Sequence, residues 1–168
     1  QHQKASQITP IFNVDRPLGR TANKEALRTA LSGNNAVIHI ATYGFINEDN
    51  HNLSALTCYN GENNGADLLY ANDIRNEKVK ADLVVLSSCE SGLRRKVGGE
   101  GLIALNPAFI YADARNVISS LWKINDRYSS EFMINFHQEV VSGQSYTNAL
   151  RQTKLRLPAD PATAQPRF

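Results

Sequence analysis

Ala81-Asp-Leu-Val-Val-Leu-Ser-Ser-Cys-Glu-Ser-Gly92 is the stretch on which the fold turns. Its centre, Leu83 to Leu86, is apolar at every position rather than at alternate ones. A strand with one wet face alternates, whereas a strand covered on both faces does not, and the second pattern belongs to parallel sheets. The run then gives way to small polar residues and a glycine, which mark the strand's end. Two more runs share its character. Ala36-Val-Ile-His-Ile-Ala-Thr42 follows the breaker Gly33-Asn34-Asn35, and Val117-Ile-Ser-Ser-Leu-Trp122 lies downstream. Both are short and rich in β-branched residues, as strands are.

Helical pattern fills the intervals. Ala22, Ala26, Leu27, Ala30 and Leu31 form a helical stripe within Thr21 to Leu31. Thr21 is the expected cap, with Lys24 where a capping box would want an acid. Gly101 to Ala112 reads as a buried helix, although Pro107 would bend or end a helix at its interior. Ser129 to Ser142 sets Phe132, Met133, Phe136 and Val140 on one face, and Tyr146 to Leu157 is a last helix stopped by Pro158. Asp49 to Gly65 is polar and glycine-punctuated around Leu53-Ser-Ala-Leu-Thr-Cys58, as expected of an excursion or hairpin beside the sheet. Strands alternating with helices predict an α/β fold, a mostly parallel central sheet flanked by helices in a three-layer sandwich.

The bulk properties exclude several functions. The 168 residues are 42% apolar and 20% charged, enough for one ordinary core, with residues 158–168 as an irregular tail. A formal charge of +2 is too small to argue for nucleic acid or an anionic membrane. No apolar run nears the ~18 residues of a membrane span. The first residues, Gln-His-Gln-Lys, have no apolar segment behind them as a signal peptide would. Two cysteines make no disulfide framework and fit a reducing, cytoplasmic compartment. No Cys/His spacing suits zinc, and neither metal nor cofactor is expected. No glycine-rich phosphate loop follows a strand directly.

In parallel sheets ligands sit outside the carboxyl ends of the strands. Three strand ends are chemically unusual: Ala41-Thr-Tyr-Gly44, Ser87-Ser-Cys-Glu-Ser-Gly92 and Leu121-Trp-Lys-Ile-Asn-Asp126. Parallel neighbours would bring the three to one edge. A thiol at Cys89 could then meet a carbonyl while turn N–H groups face the developing oxyanion. A lone cysteine is otherwise a small buried hydrophobe.

Four segments in order resemble the CHAT domain, a caspase-like protease family related to separase. They are Ile38-His-Ile-Ala-Thr-Tyr-Gly44, Asp82-Leu-Val-Val-Leu-Ser-Ser-Cys-Glu-Ser-Gly92, Gly98-Gly-Glu-Gly-Leu102 and Ser119-Ser-Leu-Trp-Lys-Ile-Asn-Asp126. The resemblance runs from about Leu18 to about Leu155. It implies a caspase-type sandwich over residues 1–157 and a thiol endopeptidase working by a Cys-His dyad. Cys89 matches the nucleophile, and the N–H groups of Gly44 and Cys89 match the oxyanion-hole donors. It further implies a protein or peptide substrate, and tetratricopeptide-repeat regions or a regulatory partner nearby. Family members carry another strand ahead of the helix that leads into Leu18-Gly19, so the resemblance implies a chain that begins inside the domain.

The pattern breaks at the base. The family's histidine precedes the strand-end glycine, and here Tyr43 stands in that place. A phenol titrates near ~10 and an imidazole near ~6.5, so tyrosine does not take a thiol proton at neutral pH. A tyrosine there fits a lineage that kept its groove and lost turnover, or a replacement introduced into an active enzyme. His39 shares a strand face with Tyr43, but four residues span about 13 Å, and among its apolar neighbours it reads as a hydrogen-bonded core residue. His51 lies in a polar loop that could fold back. His2 and His137 are read as incidental surface residues.

Substrate-binding candidates cluster around the same ends. The resemblance gives Asp126 the role of S1 acid facing a basic P1 side chain, a pairing suited to Arg; the same residue fits a helix cap. Trp122 can wall such a pocket or pack in the core. Glu90 and Ser88 flank the thiol, where Glu90 can shape the turn or stand in solvent. At Arg94-Arg-Lys96 the resemblance implies a loop that is cut or rearranged on activation, while the residues themselves equally fit a plain solvated loop. Cys58 reads as a half-buried strand residue.

Overall fold

The computed structural model describes residues 19–47, 49–61, 66–87, 101–120 and 126–156, with side chains at all of these except 101, 102 and 126. The described residues fall into two units, one running to residue 120 and one comprising the last two helices.

In the first unit, β1 (Val37–Ile40), β5 (Leu83–Leu86) and β6 (Val117–Ser119) form a parallel sheet with β5 in the middle. Ile40 pairs with Leu86, and Leu86 with Ser119. Side chains alternate along a strand. Val84 and Leu86 therefore share one face with Ile38 and Ile40, and all four belong to the main apolar core. Leu83 and Val85 point the other way and are equally buried, at 0% exposure. The unbroken apolar run thus has the predicted cause: β5 is covered on both faces. Arg115 pairs with Asp82, and the Asn116 amide donates to the Asp82 carbonyl at 2.9 Å, joining the starts of β5 and β6.

A second, antiparallel sheet holds β2 (Gly44–Phe45), β3 (Ala55–Tyr59) and β4 (Ala66–Tyr70) in the order β2-β3-β4. The expected hairpin is therefore one strand larger than the sequence suggested. Ala66-Asp-Leu-Leu-Tyr70 neither alternates cleanly nor carries β-branched residues, so it lacks a strand signature. Cys58 is buried on β3, 6% exposed, rather than half-buried. Burial first, and the Asp67 carboxylate second, push its thiol up to about 11.

Helix α1 (Lys24–Ser32) begins later than its stripe implies. Asn23 caps it, its side-chain oxygen accepting the Ala26 N–H at 2.8 Å, while Thr21 belongs to a preceding 3₁₀ turn. Asparagine is the better cap because its carbonyl reaches the third helical N–H. Lys24 donates to the Leu68 carbonyl at 3.0 Å and lies 3.6 Å from Asp73, tying α1 to β4 and to the short helix α2 (Ala71–Arg75). The expected helix from Gly101 is two elements: a 3₁₀ segment, Gly101–Leu105, then α3 (Asn106–Tyr111). Pro107 lies in the first turn of α3, where no intrahelical donor is needed. Phe109 and Ala108 of α3 enter the main core.

The second unit is a helical pair, α4 (Asp126–Val141) and α5 (Tyr146–Arg156). Gly143, at φ 92°, ends α4. Its N–H donates to the Val140 carbonyl at 3.0 Å, and the Gln144 N–H to Glu139 at 3.1 Å. That double return is a Schellman closure, which needs a left-handed residue. Arg156 pairs with Glu139 across the two helices. Met133 and Phe136 are buried, as their stripe predicts. His137 corrects its surface reading: it is 0% exposed, and burial pushes its imidazole down to about 4. Histidine is ordinary on wet helix faces, so residue type gave no sign of this; here it extends the buried stripe by one position.

Candidate active site

Parallel pairing sets the carboxyl ends of β1, β5 and β6 on one edge. The segment after β1 is firmly held. The Thr42 hydroxyl donates to the Thr57 carbonyl at 2.5 Å, and the Tyr43 carbonyl accepts the Thr57 N–H at 2.8 Å. Gly44 then enters β2 opposite Leu56 and is buried. These contacts clamp the chain from Thr42 to Gly44 between the end of one sheet and the start of the other. The Tyr43 side chain is not enclosed by them and is 48% exposed.

At the end of β5, Ser87 donates its N–H to the Ile40 carbonyl at 3.0 Å and is 7% exposed. Its hydroxyl lies 2.5 Å from His39 Nε2. The register explains the meeting. His39 opposes Val85, and Ser87 is two residues further on, so the two side chains share a face as diagonal neighbours. His39 is thus hydrogen-bonded as expected, but half-buried rather than in the core. At the end of β6, Ser119 accepts from the Asn106 side-chain amide at 2.9 Å. Both polar pairs escape a reading of the chain alone, because they join residues distant in sequence.

Cys89, Ser88, Glu90 and Trp122 lie outside the described residues, as does the basic loop Arg94-Arg-Lys96. Asp126 opens α4 in the second unit, and its side chain likewise lies outside what is described. His51 stands exposed in a 3₁₀ turn, His51–Leu53. Among the described residues no His, Cys, Asp or Glu grouping could hold a metal ion. None of the described helices is long and apolar enough to cross a membrane.

Tetratricopeptide repeat protein 28 of Homo sapiens is 31% identical over 99 residues, covering 59% of this chain and 4% of that protein. Its Mus musculus counterpart is 30% identical over 99 residues, with the same shares. The chain thus spans a small part of the length of the curated relatives it matches. A family model described as the CHAT domain matches residues 1–168. The buried parallel strand β5, the clamped Tyr43-Gly44 segment beside it and a match along the whole chain lead to one conclusion: this protein belongs to the CHAT domain family, with the caspase-like α/β fold of that family.

Proposed function

We propose that this chain carries a caspase-like cysteine endopeptidase site in which Cys89 holds the nucleophile position and Tyr43 the general-base position, so that it does not turn over peptide in this form. The observation that supports the reading is the clamp on residues 42–44. Hydrogen bonds to Thr57 fix the backbone of Tyr43 at the carboxyl edge of the sheet, while its side chain stays half in solvent. A side chain at this position is set by the backbone and is accessible to a substrate. An imidazole there could take a thiol proton and return it to a leaving amine. A phenol holds its own proton at neutral pH, and an unassisted thiol is then only a few per cent thiolate. The family resemblance assigns the oxyanion to the Gly44 and Cys89 N–H groups, and preference for a basic P1 residue to Asp126.

The substitution Tyr43→His tests this. Peptides with Arg or Lys at P1 should be cut by the Tyr43→His protein and left intact by the original chain. Replacing Cys89 by Ala in the Tyr43→His background should abolish the cleavage. Cleavage by the original chain that Cys89→Ala removes would refute the loss of turnover. A second reading, capture of an extended peptide without cleavage, is favoured by the exposed phenol, whose apolar ring and polar tip suit a contact surface. Peptide binding by the original chain, with no cleavage by either protein, would select it.

A further inference from the structure

β4 is the outer strand of the antiparallel sheet, with β3 on one side and, among the described residues, no strand on the other. Ala66 and Tyr70, at its two ends, are exposed. An edge of this kind offers unpaired N–H and C=O groups to any other strand. The pairing of β3 fixes which groups those are. The Thr57 N–H donates to the Tyr43 carbonyl, and the Thr57 carbonyl accepts from the Thr42 hydroxyl, so both Thr57 groups point away from β4. Leu68 is the partner of Thr57 and is therefore not hydrogen-bonded to it; its own N–H and C=O point outward. By the same alternation, so do those of Ala66 and Tyr70.

Charged side chains occupy these outward groups. The Leu68 N–H donates to Asp67 Oδ1 at 2.8 Å, and the Leu68 carbonyl accepts from Lys24 Nζ at 3.0 Å. The Tyr70 N–H donates to Asp73 Oδ2 at 3.3 Å. Lys24 Nζ also stands 4.0 Å from Asp67 and 3.6 Å from Asp73, so one ammonium joins the two carboxylates. All three side chains are partly open to solvent, where ion pairs contribute little stability. Water would satisfy an exposed edge equally well. What the side chains add is to hold the edge against another backbone. We propose that Lys24, Asp67 and Asp73 form a clasp that shuts β4 to strand addition, and that the strand it shuts out is β4 of a second copy of this chain. The geometry names that occupant. Leu68 is the middle residue of Ala66–Tyr70 and turns both of its groups outward. Two copies laid antiparallel exchange both Leu68 hydrogen bonds with each other, and Ala66 of each faces Tyr70 of the other. That pairing maps onto itself by a two-fold axis, as a dimer contact does. Ala66-Asp-Leu-Leu-Tyr70 has neither the proline nor the lysine that commonly guards an edge, and α1 supplies the lysine instead.

Analytical ultracentrifugation of the full chain over a range of concentrations tests this. Lys24→Ala together with Asp67→Ala opens both Leu68 groups and leaves the Asp73 contact with Tyr70 in place. That double variant should show a weight-average mass rising with concentration toward about twice that of the original chain. Lys24→Arg together with Asp67→Asn keeps a donor and an acceptor at the same places and should sediment as the original chain does. Leu68→Pro, added to the alanine double variant, removes the outward N–H without touching the β3 ladder, since proline is tolerated on an edge strand. It should reverse the association. Association that persists with Leu68→Pro comes from exposed core rather than from the β4 edge, and overturns the proposal. So does an alanine double variant that sediments like the original chain at every concentration, or an Arg/Asn double variant that associates as strongly as the alanine one. None of these readouts depends on peptide cleavage, so the endopeptidase reading stands or falls separately.

Discussion

His137 makes the stability of this protein sensitive to acid in a defined window. The ring is fully buried on α4, and burial lowers its pKa from 6.5 to about 4. In the folded chain it stays neutral until the pH nears 4, whereas in the unfolded chain it takes a proton near 6.5. Between those values the unfolded state binds more protons, so stability falls as the pH falls. The contribution is fully present above 6.5 and is lost by the time the pH has dropped through 4. At 1.36 kcal/mol per unit, the interval from 6.5 to about 4 corresponds to about 3 kcal/mol. Against a typical total of ~5–15 kcal/mol, that is a large share. Urea unfolding followed by circular dichroism between pH 4 and 7.5 measures it, for the original chain and for His137→Leu. Carboxylates add their own acid dependence to both proteins, so the difference in slope is the quantity to read. The original chain should lose up to about 1.4 kcal/mol more per pH unit than the variant. Parallel slopes would refute the reasoning, since the imidazole would then titrate alike in the folded and unfolded states.

Two further outcomes follow from the packing. Gly143→Ala should destabilise the protein by about 1–2 kcal/mol, the cost of a left-handed residue with a Cβ. Nothing lies within 4 Å of the added atom, so the loss is one of backbone conformation alone, and an unchanged urea midpoint would contradict the Schellman closure. Cys58, buried on β3 with its thiol raised to about 11, should resist maleimide at neutral pH in native buffer and react once urea unfolds the chain. Native-state labelling at the rate of a free thiol would contradict the burial of the β3–β4 hairpin.

Much of the fold was legible because its signals are local. Leu83 to Leu86 announced a strand buried on both faces, and the stripe at Met133 and Phe136 announced the inner face of α4. Local signals also misled where two residues could do one job. Thr21 and Asn23 are both capping types, and only the path of the chain into α1 selects Asn23. Pro107 weakened the reading of a helix that in fact starts beside it. Ala66 to Tyr70 became a strand through its partner β3, because pairing in a sheet depends on the neighbour more than on intrinsic preference.

The candidate site divides along the same line. The sequence alone determined that a cysteine follows the unbroken apolar run and that Tyr43 stands just before Gly44 at the first strand's end, since both are statements about residue order. Only the tertiary structure decided that His39 meets Ser87, 48 residues away. Only it decided that Thr57 clamps the Tyr43 segment and that His137 is buried. The reason is physical. Periodicity records which face a residue takes, but a hydrogen bond or a lost hydration shell depends on which other segment is laid against that face, and the register between strands sets that.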